Sequence, residues 1–277
     1  MSPSTKQQAL EKLHALANKI GYPEKWRDYS ALTIARNDYT GNVLRARAFE
    51  FNRKIAKIGK PVDRGEWDMT PPTVNAYYNP QLNDINFPAG ILQPPLFDPG
   101  ADDAPNYGNT GATIGHELTH GFDDEGRQFD GQGNLRDWWT PEDSNQFDQR
   151  ARCISDQYSQ YVAVDDIKIN GQLTMGENVA DLGGLMLAYM AWKTETLGQK
   201  LDSMDGFTPD QRFFIGYAQS WCGETRDETK RVYATVDPHS PDKYRTNGVV
   251  SNSPEFQQAF QCKTGSPMVR KKRCRVW

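Results

Sequence analysis

Two histidines and a glutamate stand close together in residues 115–121. His116 and His120 are four residues apart, and Glu117 directly follows the first histidine. On an α-helix, side chains at positions i and i+4 share one face, so the two imidazoles could hold one metal ion with the carboxylate beside it. This spacing is typical of zinc sites that hydrolyse peptide bonds. The alternative is a helix with two solvated histidines, because so short a pattern also arises by chance.

A zinc site of this kind needs one more ligand than the two histidines provide. Hydrolytic zinc usually takes three protein side chains and leaves a fourth position open. We expect the third ligand to be Glu177, with Asp181 one helical turn later. One of these carboxylates can bind the metal while the other accepts a hydrogen bond from a metal-binding imidazole. The alternative is a plain helix start, because Thr174 and Glu177 match a capping box.

The secondary structure around these residues is predicted to be mainly helical. Apolar periodicity predicts helices over 5–20 and 42–58, and Thr140 with Pro141 is typical of another helix start. Short strands are predicted at 73–78 and 84–87, a structural loop at 123–137, and a hairpin turn at Asn170-Gly171. Further helices are predicted to begin near Glu177, Thr208, Asp227 and Ser253. The sequence therefore predicts a mainly helical α+β fold with a small β-sheet.

Composition limits the classes of partner. The chain has 277 residues and a formal net charge of −4, so no overall electrostatic attraction to nucleic acid is expected. No apolar run approaches the length of a membrane span, and the first residues lack the build of a signal peptide. We therefore expect neither a nucleic-acid partner nor a membrane span in this chain.

Eight short motifs follow one another along the chain. They are residues 74–78, 87–95, 115–124, 137–139, 176–181, 221–223, 239–241 and 274–277. In this order they resemble the neprilysin and endothelin-converting-enzyme family of zinc metallopeptidases, with its bacterial oligopeptidase relatives. The resemblance implies a thermolysin-like (gluzincin) catalytic domain over 61–277. It implies that residues 1–60 form a helical segment leading into that domain.

The same resemblance implies roles for the residues of the metal site. One zinc ion is expected, held by His116, His120 and Glu177, where it activates a water molecule. Glu117 is expected to act as the general base that takes the proton. His239 is expected to stabilise the oxyanion of the tetrahedral intermediate.

Two carboxylates are expected to support these residues. Asp123 and Asp181 are placed to accept the free ring N–H groups of the ligating histidines, which would fix their tautomer and orientation. We therefore group Asp181 with the catalytic residues as well.

Substrate binding is also implied by the resemblance. The segment 74–78 is expected to be an edge strand that pairs with an extended peptide, and Arg245 to donate to a substrate carbonyl. An apolar pocket would favour cleavage on the amino side of hydrophobic residues. The expected substrate-binding residues are Asn75, Ala76, Arg245, Ile91, Leu96 and Trp221.

The four cysteines indicate the compartment. Four cysteines allow three complete pairings, and the sequence alone does not choose among them. The resemblance implies a disulfide between Cys153 and Cys274, whereas the family's equivalents of Cys222 and Cys262 pair with cysteines nearer the amino terminus. The pairing of Cys222 and Cys262 here is left open. A secreted or periplasmic location is expected from such disulfides.

Two functions follow from these observations. In the first, the chain is a zinc endopeptidase acting on oligopeptides. The chain resembles only the carboxy-terminal portion of the family, and an amino-terminal domain that caps the cleft is expected as a partner besides the peptide substrate. In the second, the chain is a zinc-loaded peptide-binding module with little turnover because that domain is missing.

Overall fold

The structure is a computed structural model that describes all 277 residues. Its strands are β1 Ala17–Gly21, β2 Tyr77–Asn79, β3 Asp84–Pro88, β4 Val162–Val164 and β5 Ile167–Lys168. A turn of π-helix, Tyr107–Gly111, leads directly into the fourth α-helix. The helices are α1 Pro3–His14, α2 Tyr39–Ile55, α3 Asp103–Asn106, α4 Ala112–His120, α5 Pro141–Tyr158, α6 Met175–Glu195, α7 Pro209–Gln219, α8 Asp227–Val236, α9 Asp242–Val250 and α10 Pro254–Ala259. The predicted mainly helical α+β class is confirmed.

Helix α6 is the centre of the hydrophobic core. Its side chains Val179, Leu185 and Trp192 are at most 2% exposed. It packs against α4, α5 and α9. Burial of a large apolar side chain contributes roughly 1.5–3 kcal/mol, so α6 is a rigid base for the residues at its amino-terminal end.

The three-stranded sheet lies beside α4. Strand β3 is central and fully buried, with β1 parallel to it on one side and β2 antiparallel on the other. The predicted helix over 5–20 is wrong in its second half, because α1 ends at His14 and Ala17–Gly21 form β1. The backbone groups of β1 bond to β3, more than sixty residues away, and local periodicity cannot reveal such a partner.

Helix caps are local, and most of them agree with the sequence. Thr140 accepts a hydrogen bond from Asp143 N, and Pro141 is the first residue of α5. Thr208 forms a complete capping box with Gln211 at the start of α7. The predicted capping box at Thr174 is wrong, since this hydroxyl donates to the Asn170 carbonyl instead.

Two further predictions need correction, and one helix was missed. The hairpin turn lies at Asp165 and Asp166, between β4 and β5, and not at Asn170-Gly171, because Asp165 takes the left-handed conformation with φ 51°. The edge strand pairs with β3 only from Tyr77 onward, so residues 74–76 precede it. Helix α9 was not predicted.

The carboxyl terminus is fastened to α5. Cys153 and Cys274 form the disulfide that the family resemblance implies, and Cys274 is 2% exposed. Cys222 and Cys262 are free. No helix combines the length and apolar character needed to cross a membrane.

Candidate metal centre

Helices α4 and α6 bring three potential metal ligands together. The Nε2 atoms of His116 and His120 are 2.9 Å apart. The carboxylate of Glu177 approaches them with Oε2 3.3 Å from His116 Nε2 and Oε1 3.6 Å from His120 Nε2. The predicted i, i+4 pair therefore shares a helix face, and the predicted third residue faces it from the first turn of α6.

The donor atoms fit a zinc ion. Tetrahedral zinc with bonds of about 2.0–2.1 Å places neighbouring ligand atoms roughly 3.3 Å apart. The observed separations of 2.9, 3.3 and 3.6 Å bracket that value. Two imidazoles and one carboxylate are also the ligand types of many hydrolytic zinc sites. His116, His120 and Glu177 could therefore hold one zinc ion.

Carboxylates on the far side of each imidazole fix the rings. His120 Nδ1 lies 2.6 Å from Asp123 Oδ2, and His116 Nδ1 lies 2.8 Å from Asp181 Oδ1. The first contact is a well-aligned hydrogen bond. In the second the ring N–H is poorly aligned with the oxygen. Both contacts leave the Nε2 atoms directed at the shared site, as ligating histidines require.

The charges around the site favour a cation. Burial alone would lower the pKa of His120, but the hydrogen bond to Asp123 and the nearby Glu177 carboxylate outweigh it and raise that pKa well above its usual range. Burial alone would raise the pKa of Glu177, yet bonds from His116 and His120 hold it well below its usual range. These side chains therefore stabilise positive charge between them, which a divalent cation supplies.

Glu117 lies beside the three potential ligands and is not one of them. It is 5% exposed, and one of its oxygens lies within 4.8 Å of the ligand atoms of His116 and His120. Burial raises the pKa of its carboxyl group. A buried carboxylate at this distance can exchange a proton with a molecule at the metal position.

His239 reaches the site from the loop between α8 and α9. Its Nε2 is 3.3 Å from Glu177 Oε1, and its ring is 47% exposed. Asp237 accepts from both the His239 backbone N–H, at 2.9 Å, and the ring Nδ1, at 2.7 Å. Sequence reasoning missed Asp237, although its i, i+2 spacing to a histidine was visible.

A buried hydrogen-bond pair fastens the His239 loop to α6. Ser240 Oγ donates to Asn178 Oδ1 at 2.8 Å, and both side chains are buried. Asn178 in turn donates to Thr174 Oγ1 at 2.9 Å. No sequence signal indicated this pairing, since the two residues are 62 positions apart.

Arg245 on α9 is held against the site. Its Nε and Nη2 donate to the two oxygens of Asp181 at 2.8 and 2.7 Å, and Nη2 is 3.5 Å from Glu177 Oε2. Its guanidinium carbon lies 3.9 Å from the ring centroid of Trp221. Nη1 donates no hydrogen bond within the chain. Arg245 therefore meets Asp181, and it retains a donor that a bound molecule could use.

The other predicted substrate-binding residues are divided between the region of the sheet and the main core. Asn75 is exposed, and its side-chain oxygen accepts from the Ala76 backbone N–H at 2.9 Å. Ala76 and Ile91 are buried in a small apolar cluster against which Leu96 packs. Trp221 packs against the main core instead. The structure does not join these apolar residues in one cluster, so the hydrophobic pocket remains a prediction.

Comparison with known proteins gives consistent matches. The sequence profile of peptidase family M13 matches residues 75–276. Neprilysin-1 of Caenorhabditis elegans is 46% identical over 291 aligned residues, which cover 100% of this chain and 39% of that protein. Endothelin-converting enzyme 1 of Rattus norvegicus is 42% identical, covering 100% of this chain and 38% of that protein. The chain thus spans about two fifths of these relatives' length.

Solved structures share the fold. The crystal structure of the Mycobacterium tuberculosis zinc metalloprotease ZMP1 in complex with an inhibitor superposes with a TM-score of 0.94 and is 48% identical, covering 100% of this chain and 43% of that one. PepO from Lactobacillus rhamnosis superposes with a TM-score of 0.86 and is 38% identical, covering 98% of this chain and 42% of that one.

Proposed function

The chain belongs to peptidase family M13, a family of zinc metallopeptidases, and on that basis we propose that it hydrolyses peptide bonds as a zinc-dependent endopeptidase. The proposed substrates are oligopeptides, cleaved on the amino side of hydrophobic residues. The observation that carries the proposal is the convergence of His116, His120 and Glu177 within 3.6 Å, with Glu117 beside them.

We assign the metal to His116, His120 and Glu177, and the proton transfers to Glu117. When bound, one zinc ion supplies Lewis-acid polarisation of the scissile carbonyl and eases the ionisation of water. The Glu117 carboxylate takes the proton of the attacking water and passes it to the departing amine. Its burial supports this role, because a raised pKa makes the carboxylate a stronger base toward that water.

His239 and Arg245 are proposed to hold the substrate's oxygens. His239 Nε2 lies beside the metal ligand Glu177, where it can donate to a developing oxyanion. Asp237 keeps the His239 ring oriented through Nδ1. Arg245 Nη1 is free to donate to a substrate carbonyl, while Asp181 fixes the rest of the guanidinium.

The peptide is proposed to bind along strand β2. This strand is at the edge of its sheet, so one side of its backbone has no partner strand. An extended peptide can add to such an edge by main-chain hydrogen bonds. Asn75 and Ala76, just before β2, are proposed to hold the two sides of the cleaved bond, and Ile91, Leu96 and Trp221 to contact the hydrophobic side chain beyond it.

The setting is also proposed. A secreted or periplasmic location is supported by the Cys153–Cys274 disulfide, which persists in oxidising compartments. A capping domain that restricts access is supported by α2, which buries none of its residues and exposes Leu44 and Phe51.

Hydrolysis of an internally quenched peptide tests the proposal. We expect turnover that a chelator abolishes and added zinc restores. The variant Glu117→Gln should lower kcat/KM by at least about 100-fold, the usual effect of losing a general base. It should retain zinc, because Glu117 is not one of the three proposed ligands.

The matched control is Glu142→Gln, an exposed glutamate on α5, which should leave kcat/KM unchanged. Turnover that survives metal removal, or full activity in Glu117→Gln, would refute the proposed zinc-dependent peptidase mechanism. Zinc-dependent peptide binding without cleavage would support the peptide-binding module instead.

A further inference from the structure

Lys12 on α1 is a buried cation without an ion-pair partner. Its residue is 1% exposed, and its Nζ donates to the carbonyl oxygens of Gly121 at 2.6 Å, Gly126 at 2.7 Å and Phe129 at 2.8 Å. An ammonium group has three N–H donors, so all are used. Placing a charge inside a protein is costly unless such bonds compensate it. The free-energy cost of burying this ammonium group is therefore offset by three hydrogen bonds that use all of its donors.

Aromatic rings complete the enclosure of the Lys12 ammonium. The ring centroids of Phe122, Tyr78 and Trp138 lie 5.4, 5.7 and 6.0 Å from Nζ. Ring faces at these distances attract a cation. The three rings come from β2 and from the chain after α4. Lys12 thus touches the proposed substrate strand and the carboxyl-terminal side of the metal-binding helix.

A short series of hydrogen bonds connects Lys12 to His120. Lys12 binds the Gly126 carbonyl, and the Gly126 N–H donates to Asp123 Oδ1 at 2.7 Å. The other oxygen of Asp123 is 2.6 Å from His120 Nδ1. Gly126 is required at this point, because a Cβ there would overlap the His120 carbonyl oxygen. The loop that carries Asp123 is thus folded back on the end of α4 and bonded by Lys12.

Asn83 links the same region to the sheet. Its Nδ2 donates to the Lys12 carbonyl at 3.0 Å and to the Gly131 carbonyl at 3.2 Å. The Tyr78 hydroxyl donates to Asn83 Oδ1 at 3.1 Å. Asn83 is fully buried and takes a positive φ of 50°, which places its amide between α1, the loop and β2.

Resting on the proposed function, we propose that Lys12 is a positioning residue of the metal centre: by binding three carbonyls of the loop 121–129, it fixes Asp123 and through it the His120 imidazole. It contacts neither metal nor substrate. A purely structural anchor for α1 would change stability alone. A positioning residue must also change metal affinity in the folded protein.

Zinc affinity and kinetics of Lys12→Met test this role. Competition with a chromogenic chelator should show zinc binding weakened by about 10- to 100-fold, the usual effect of removing an outer partner of a metal ligand. The value of kcat should fall by at least about 10-fold while KM changes by less than about 3-fold. Lys12→Arg, which keeps the charge and several donors, should recover part of both losses.

The control is Lys6→Met, an exposed lysine on the same helix, which should change neither quantity. Wild-type zinc affinity in folded Lys12→Met would overturn the proposal. Zinc affinity can be measured without a substrate. If Lys12→Met binds zinc more weakly but the wild-type protein cleaves no peptide, only the proposed peptidase function is refuted.

The wild-type protein supplies the test if neither variant folds. Coupling between sites is reciprocal, so zinc must also restrain Lys12. Zinc should slow acetylation of Lys12 by a larger factor than it slows hydrogen exchange of the α5 amides, which report opening of the whole domain. Equal factors would overturn the proposal.

Discussion

The Glu177 carboxylate is the side chain on which the other residues of the site converge. Four ionisable side chains reach it within 3.6 Å: His116, His120, His239 and Arg245. They come from α4, α9 and the loop before α9. A single carboxylate therefore contacts the two histidines proposed as metal ligands and the two side chains, His239 and Arg245, proposed to hold the substrate's oxygens. Spacing in the sequence indicated Glu177 as a ligand but not this second role.

Lys12 gives a pH dependence of stability that can be measured. Burial lowers its pKa to about 8, partly offset by Asp123 and Asp130, against 10.5 in the unfolded chain. Between these values the unfolded chain holds one more proton than the folded protein, so the free energy of unfolding rises with pH. The rise begins near pH 8 and is complete above 10.5. Its upper limit is about 3 kcal/mol.

The measurement is urea unfolding of wild-type protein and Lys12→Met between pH 7.5 and 10. As pH rises, the free energy of unfolding of the wild type should increase relative to that of Lys12→Met. Both proteins should carry Cys222→Ser and Cys262→Ser, because free thiolates exchange with the disulfide at alkaline pH. A difference independent of pH would show that Lys12 titrates normally.

The geometry of the site depends on how closely helices α4 and α6 cross. A Cβ at Gly115 would lie 2.7 Å from the Gly184 carbonyl oxygen, and a Cβ at Gly184 would lie 2.5 Å from His116 N. Both positions are therefore free of side chains where the two backbones touch. This close crossing brings Glu177 to the histidines, because it sets the separation of the helices that carry them.

Gly184→Ala should damage the site more than the fold. The added methyl group meets backbone atoms of α4, which cannot rotate away, so α4 and α6 must separate. We expect about 1–3 kcal/mol of destabilisation from overpacking. Displacement of catalytic groups by about 1 Å should lower kcat/KM by roughly 100-fold. Thermal unfolding and peptide hydrolysis measure the two effects.

Gly111→Ala is the matched control for Gly184→Ala. A Cβ at Gly111, just before α4, meets its neighbours at 3.5–3.6 Å, which is ordinary van der Waals contact. Its activity should stay within about 3-fold of the wild type, since added alanine in a helix is well tolerated. Equal activity in the two variants would show that the helix crossing does not set the site.

The disulfide closes a large part of the chain into one covalent loop. Cys153 and Cys274 are 121 residues apart in sequence, and α6 through α10 lie between them. The tail beyond Cys274 is also packed, with Val276 3% exposed and the Trp277 ring 5.4 Å from that of Phe147. The carboxyl terminus therefore belongs to the core.

Replacing both cysteines, Cys153→Ala with Cys274→Ala, should lower the free energy of unfolding by about 2–5 kcal/mol. The physical reason is that the unfolded chain gains conformational entropy when the covalent loop is opened. Urea unfolding under non-reducing conditions measures the loss. Cys222→Ser with Cys262→Ser should change it little, and an equal loss in both pairs would contradict a specific role for the disulfide.

The features that could be predicted from the amino-acid sequence are the local ones. The i, i+4 spacing of His116 and His120 needs only helical geometry, and Thr140 with Pro141 begins α5 because caps depend on neighbouring residues. The mainly helical class and the family motifs can likewise be recognised from the sequence. These features are predictable because their causes act within about one or two helical turns.

Contacts between residues far apart in the sequence became known from the folded structure alone. Residues 17–21 form a strand because β3 supplies their backbone partners, against their local helical pattern. Arg245 binds Asp181, Ser240 binds Asn178 and Lys12 binds the loop beyond α4 across 62 to 117 positions of sequence. Sequence spacing carries no trace of these contacts, because each exists only once packing has brought two separately folded segments within hydrogen-bond distance.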